Sequence, residues 1–344
     1  MDFTPTEDQA EARDLAARIF ADLATHERLR AAGTGSDPEL WKALTAAGLV
    51  AAVEELGLLG LVLLLEEQGR TTAQVPYAAS CVYGQLAVTA HGTVEQRERL
   101  LPGIADGSTV VTGAFPAQSA VRPCAHGGLS GTVPVVPWLR DATHVLVADT
   151  GRLLWLVPLG EGTGGTGVEE IELTAPWSAG RLTLHEAPAE PLGTVDAYTD
   201  VLATARTAFA GLQAGVCAGS LARAVAHTTT REQFGRPLAT RQAVQLRAAD
   251  AHMDTEAIRV TAYEAAWRRD AGLPYATHAL TAAWWASEAG QRVVHSGQHL
   301  HGGAGADVDH PVHRHFLWGR QLDAYLGSGG EVLQELGELI ARGN

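Results

Sequence analysis

The residues best suited to chemistry stand together at Arg231-Glu-Gln-Phe-Gly. A cation, an aromatic ring and a glycine in one short run suit an anionic ligand that carries a flat ring. The same mix also serves a plain turn between helices. Histidines form a second group. His295 and His299 are one helical turn apart, and His301, His310, His313 and His315 follow closely. That spacing can hold zinc, but no Glu or Cys completes a tidy set, and no metal is expected. Asp307 and Asp309 could accept a proton; the plainer readings are a solvated loop residue and a helix cap or ion pair. Residues 160–167 are glycine-rich but lack the Lys-Ser/Thr of a phosphate-binding P-loop, and read as a hairpin or surface loop.

These groups need elements to position them. Residues 1–107 read as helical. The stretch Asp2 to Asp8, Ser36 or Asp37, and Thr93 offer helix starts, and Leu15, Ile19 and Leu23 recur on one face. An apolar helix is expected over about 54–68, stopping near Gly69, and a short one from Thr93 closed by Pro102-Gly103. Residues 108–195 turn to Val, Thr, Gly and Pro, with strand candidates at Thr109-Val-Val-Thr, Gly131-Thr-Val-Pro-Val-Val, His144-Val-Leu-Val-Ala, Leu153-Leu-Trp-Leu-Val and Arg181-Leu-Thr-Leu-His. From there to residue 344 four long helices are expected, over 199–229, 241–270, 275–300 and 310–341. Their short connections predict antiparallel packing. The class is α+β, mostly α: a helical domain 1–107, a small barrel-like β-domain 108–195 and a four-helix bundle 196–344.

Composition narrows the function. The chain has 344 residues, 46% hydrophobic and 19% charged, with 25 basic against 39 acidic side chains and a net charge of −14. That disfavours nucleic acid, whose phosphates need clustered Lys and Arg. The three scattered cysteines fit a reduced, cytoplasmic protein. The longest apolar run, Leu56 to Leu65, is too short to span a bilayer.

With this order of parts, the motifs resemble those of the acyl-CoA dehydrogenase family over nearly the whole chain. Arg231-Glu-Gln-Phe-Gly-Arg-Pro-Leu with Gln242 downstream is similar to the family's Arg-x-x-Phe-Gly stretch. His299-Leu-His-Gly-Gly-Ala-Gly resembles its Gln-x-x-Gly-Gly-x-Gly, and Asp309-His-Pro-Val-His-Arg the segment after it. The resemblance implies FAD held between the β-domain and the bundle, an acyl-CoA thioester as substrate and an electron-transfer acceptor. It gives Arg231 and Phe234 to the dinucleotide of a neighbouring subunit's FAD. Gln242, Gly302 and Gly303 join them, as does His299 at the family's Gln position, with Gln298 one residue out of register.

The family removes an α-proton from the thioester with a positioned carboxylate. Here Leu326 occupies that place, in Ala324-Tyr-Leu-Gly-Ser, and the alternative location on the preceding helix offers Arg223. Asp307 and Asp309 are the remaining candidates for a relocated base. Thr112-Gly-Ala-Phe-Pro-Ala-Gln-Ser stands where the family has a Thr-Glu-Pro-Gly loop facing the flavin. These losses resemble the base-less subunits of α2β2 acyl-CoA dehydrogenases in actinobacterial steroid catabolism, and imply such a partner subunit. A self-sufficient homodimer or homotetramer acting on a CoA or carrier-protein thioester, and a flavin-free scaffold, stay open.

Overall fold

The computed structural model describes residues 2–343 except 118–120, 126 and 161. The chain divides into two compact units, one of residues 1–26, 58–73 and 206–344, the other of residues 27–57 and 74–205. The N-terminal segments are α1 (Glu7–Leu23), α2 (His26–Ala32), α3 (Pro38–Ala46), α4 (Val53–Thr71), α5 (Tyr77–Ala79), α6 (Ala87–His91) and α7 (Val94–Asp106), with a π-helical stretch Ser80–Leu86 joining α5 to α6. Their starts follow the sequence signals. Thr6 and Thr93 each close a capping box, and Asp37 accepts from the backbone N–H of Glu39 and Leu40 ahead of Pro38. Several stops differ from expectation. Helix α7 runs through Pro102 to Asp106 and ends on Gly107, at φ 80°. Helix α1 buries Ala16 and Phe20, with Leu15 and Ile19 only half-buried.

Gly69 does not end α4, which continues to Thr71. It is small because α8 (Val195–Thr230) crosses there: a Cβ on Gly69 would overlap the Leu212 carbonyl. Gly211, Gly215 and Gly219 line the other side of this crossing. A Cβ on each would strike Val62, the Glu66 carbonyl, and the Arg70 carbonyl with His315. Two backbones approach this closely only where side chains are absent. Helix α4 is also broken at Gly57, where φ is 72°. The freed N–H groups of Leu58 and Leu59 both donate to the Asp270 carboxylate at 2.8 Å, a cap supplied by a residue more than 200 positions away.

In the unit of residues 27–57 and 74–205 the strands are β1 (Val111–Ala114), β2 (Arg122–Pro123), β3 (Leu129–Val136), β4 (His144–Ala148), β5 (Leu154–Pro158), β6 (Thr166–Glu170), β7 (Gly180–Ala187) and β8 (Glu190–Pro191). They form two four-stranded sheets, ordered β1-β4-β5-β8 and β2-β3-β7-β6. One apolar cluster draws on both, with Val133, Val136, Val145, Val147, Val157, Leu182 and Leu184. The glycine-rich stretch 160–167 is therefore no hairpin; it carries the chain from β5 in one sheet to β6 in the other.

Helices α9 (Gln242–Asp270), α10 (Ala276–Leu300), α11 (Pro311–Leu322) and α12 (Gly329–Ala341) complete the chain. The single helix expected over 310–341 is two. Gly327 at φ 113° breaks it, and Ser328 with Glu331 builds a capping box that restarts it. Helix α8 is long and apolar enough to cross a membrane, but 72% of its most apolar stretch is buried inside the protein, as in a core helix.

His315 on α11 is fully buried, its ring nitrogens facing the carbonyls of Arg70 (3.0 Å) and Pro311 (3.3 Å). Burial lowers its pKa to about 4 against those hydrogen bonds. The folded state therefore resists a proton that the unfolded state accepts below about pH 6.5. Stability is expected to fall by up to about 3 kcal/mol as pH drops from about 6.5 to about 4. Denaturant melts of wild type and His315→Gln across that range check it; equal pH dependence would contradict it.

Candidate functional site

Helix α8 ends at Thr230, and the chain reverses in a two-residue hairpin. Glu232–Gln233 (β9) pairs with Arg236–Pro237 (β10) in antiparallel register, Gln233 opposite Arg236. The turn residues Phe234 and Gly235 both have positive φ, 55° and 73°, as a type I′ turn requires. Glycine enters that region freely, whereas phenylalanine there is strained by about 1–2 kcal/mol. Yet the Phe234 ring is 91% exposed. Arg241 packs beside it, its guanidinium carbon 5.0 Å from the ring centroid while Nη2 donates to the Gln233 carbonyl at 3.0 Å. Arg231 is exposed as well, and among the described residues its guanidinium makes no hydrogen bond or ion pair. The hairpin thus holds a cation and a ring outward at a conformational cost at Phe234. Such strain at an exposed position marks a contact site. Phe234→Gly is expected to leave the chain as stable or up to about 1 kcal/mol more stable, while weakening whatever packs on the ring. Thermal melts of the variant check the first half.

The glycine stretch follows α10. Gln298 near the end of that helix donates Nε2–H to the Gly305 carbonyl at 3.0 Å, closing the 3-10 turn Gly302–Ala306. Gly305 is internally required, because a Cβ there would overlap the Gln298 carbonyl; Gly302 is required by its φ of 63°. Gly303 has neither reason: its φ is not positive and no atom lies within 4 Å of where its Cβ would be. A glycine that the chain does not need leaves room for a group from outside it. His299 is exposed on the last turn of α10, and Gln242 is exposed at the start of α9.

These two stretches, some 70 positions apart, meet through histidines. His227, one turn before Arg231, stacks on His301 with centroids 4.7 Å apart at 26°, and His301 meets His310 edge-on at 5.0 Å. His227 and His310 were not legible as partners of the motif. Their only signal is the four-residue step from His227 to Arg231. Of the other histidines, His295 and His313 both lie against the Phe316 ring. Among the described residues no three His, Cys, Asp or Glu side chains are placed to hold a metal.

Leu326, between α11 and α12, is 6% exposed. Its carbonyl accepts from Arg206 Nε at 3.3 Å, and Arg206, itself 7% exposed, forms a two-pronged ion pair with Glu335 at 2.9 and 2.7 Å. Tyr325 packs edge-on against Phe209 at 4.8 Å. At the alternative location stands Arg223, whose pKa is lowered by burial. Asp307 and Asp309 are exposed, and Asp307 Oδ1 accepts the Asp309 N–H at 3.0 Å in a local turn.

In the other unit, Thr112 is wholly buried and its hydroxyl donates to the Pro137 carbonyl at 2.6 Å. Gly113 lies against Tyr83, whose ring a Cβ would strike. Phe115 stacks between Tyr83 (5.3 Å, 20°) and Tyr198 (5.6 Å, 11°), with the Arg152 guanidinium over Tyr198 at 5.5 Å. The end of β1 is thus filled by the chain's own aromatic rings. Gln118 and Ser119 of this loop lie outside the described residues.

The model of the "Acyl-CoA dehydrogenase, N-terminal domain" family matches residues 6–108, and that of the "Acyl-CoA dehydrogenase, C-terminal domain" residues 195–337. Acyl-CoA dehydrogenase FadE27 of Mycobacterium tuberculosis is 34% identical over 374 residues, covering 99% of both chains. A chain of the Tcur3481-Tcur3483 steroid ACAD G363A variant has a TM-score of 0.93 at 43% identity, covering 98% of each chain. A chain of the ChsE4-ChsE5 complex from Mycobacterium tuberculosis has a TM-score of 0.92 at 30% identity, covering 99% of each.

Proposed function

This chain belongs to the acyl-CoA dehydrogenase family of FAD-dependent oxidoreductases, and from that premise we propose that it is the base-less subunit of a heteromeric, α2β2 acyl-CoA dehydrogenase. The observation that carries the reading is Leu326. It stands where the family resemblance puts the catalytic carboxylate, it is buried, and its carbonyl is tied to the Arg206–Glu335 pair. Leucine cannot accept a proton. The aromatic packing at the end of β1 supports the same reading, since Thr112 and its neighbours are committed to internal contacts. What stays exposed is the Arg231–Phe234 hairpin and the open Gly303.

These residues fit FAD held chiefly by the partner. Arg231 would pair with the diphosphate, Phe234 would pack on a flat ring, and Gly302 and Gly303 would let backbone approach the adenosine half. Gln242 and His299 are exposed nearby in sequence; Gln298 is engaged with Gly305. When bound, FAD accepts the β-hydride of the acyl thioester. This chain's part is to bind and orient it. The steroid ACAD relative favours a bulky, steroid-derived acyl-CoA as substrate, and the ChsE4-ChsE5 complex favours a partner subunit. An electron-transfer acceptor would reoxidise the flavin, and the domain division 1–107, 108–195 and 196–344 is retained as part of this reading.

Purifying the chain alone and with the dehydrogenase subunit encoded beside it tests the proposal. Acyl-CoA oxidation is expected only from the pair. Full FAD content and turnover by the lone chain would establish a self-sufficient enzyme instead. In that pair, Asp307→Asn and Asp309→Asn are each expected to keep kcat within about twofold of wild type. A loss of two orders of magnitude in either would mark a relocated base.

A further inference from the structure

The histidine stack joining the two motif stretches is set in cationic surroundings. His227 lies on α8 between Arg223 and Arg231, each four residues away, so the three share a face. His301 packs on it from the end of α10, and His310 stands beside them at the N-cap of α11. The Asp307 carboxylate acts on His310, whereas Arg231 and His301 act on His227.

Hydrogen bonding assigns different duties to the rings. His301 is 6% exposed, and its Nδ1 lies 2.7 Å from the Gly297 carbonyl. A carbonyl only accepts, so Nδ1 carries a proton and Nε2 is the open nitrogen of the ring. His310 Nδ1 accepts the Val312 N–H at 3.2 Å, which fixes that ring as neutral with its proton on Nε2. The ring nitrogens of His227 make no hydrogen bond among the described residues. His227 and His301 are thus the stacked pair that keeps open ring nitrogens among the described residues.

We propose that His227 and His301 form a protonatable clamp for the diphosphate of the dinucleotide that meets the Arg231 hairpin, taking up a proton as that anion binds. The proposal rests on the reading of the hairpin as an FAD contact and adds the residues that make the contact depend on pH. Supporting it, burial, His301 and Arg231 hold the pKa of His227 below its ordinary value in the unliganded chain. Burial, Arg223 and the neighbouring His301 and His227 do the same to His310 against Asp307. An arriving diphosphate reverses the sign of that field. A diphosphate diester is already fully ionised near neutral pH, so the proton taken up resides on the protein. By linkage, FAD affinity then rises as pH falls.

The test uses the co-assembled complex stripped of FAD. FAD is titrated back by calorimetry near neutral pH in two buffers of different ionisation heat, and the dissociation constant is measured from about pH 6 to about pH 8. The expected result is uptake of about half to one proton per FAD and an affinity about tenfold weaker at the upper end. His227→Tyr keeps a ring in the stack, and His301→Leu removes the second titrating atom. In either, uptake should fall by at least about half and the pH dependence below about threefold. If His301→Leu fails to assemble, His227→Tyr decides, because that ring makes no hydrogen bond to lose.

Zero uptake in the wild type, or unchanged uptake in the histidine variants, overturns the clamp. Arg231→Ala in the same assay separates the two layers. If it weakens FAD while the histidine variants leave uptake unchanged, only the clamp falls. If it leaves FAD affinity unchanged, the hairpin is no flavin contact and the clamp falls with it.

Discussion

In the co-assembled enzyme, Arg231→Ala is expected to weaken FAD about 10- to 100-fold while leaving the folded stability of this chain unchanged. A charge-assisted hydrogen bond to phosphate contributes about 1.5–3 kcal/mol, which sets that range. The second half follows from the geometry: Arg231 is exposed, and among the described residues its guanidinium makes no hydrogen bond or ion pair that its removal could break. Arg231→Lys should recover only part of the loss, because a point charge replaces a planar fork. Flavin fluorescence, quenched when bound and recovered on release, reads the dissociation constant directly. Equal FAD affinity in wild type and Arg231→Ala would remove the hairpin from the cofactor site. A matching drop in melting temperature of the lone chain would make its role structural.

Leu326→Glu is expected not to create a working enzyme from this chain. A positioned general base contributes about 10²–10⁴ in rate, so a simple restoration would be obvious. The surroundings oppose it. The backbone at 326 is held through its carbonyl by Arg206, and the guanidinium is locked to Glu335. A carboxylate introduced beside that cation would be held in its charged form, a weak base, or would compete with Glu335 for the arginine. The end of β1 is also filled by Phe115 between Tyr83 and Tyr198. Turnover by the lone Leu326→Glu chain is expected to stay within about tenfold of its background. A rise of two orders of magnitude in acyl-CoA oxidation would show that only the base had been lost and that the rest of the site is intact.

Much of the fold was legible because local rules decide it. Thr6, Asp37 and Thr93 cap the helices they precede, and the short apolar, Val-rich run His144 to Ala148 needs only its neighbours to be read as a strand. The motif order carried the family. Errors cluster where a distant residue decides. Gly69 looked like a helix stop and is a close approach to Leu212. The Gly57 break is tolerable because Asp270 caps the helix that restarts at Leu58. The continuous pattern over 310–341 hid a break that Gly327 and the Ser328–Glu331 box create.

At the candidate site the residue types could be read but not their commitments. Gln298 and His299 were indistinguishable as ligand contacts until Gln298 proved tied to Gly305. The link from Arg206 to Leu326 spans 120 positions and has no sequence signal. The His227–His301 stack joins two helices whose relative rotation is a tertiary outcome.

The measurement that bears most directly on the base-less reading is the flavin-to-chain ratio, taken on the lone chain and on the complex purified with its partner. One FAD per pair of unlike chains, little or none on the lone chain, and acyl-CoA oxidation confined to the pair is the predicted result. One FAD on every chain, with turnover by the lone protein, would contradict it.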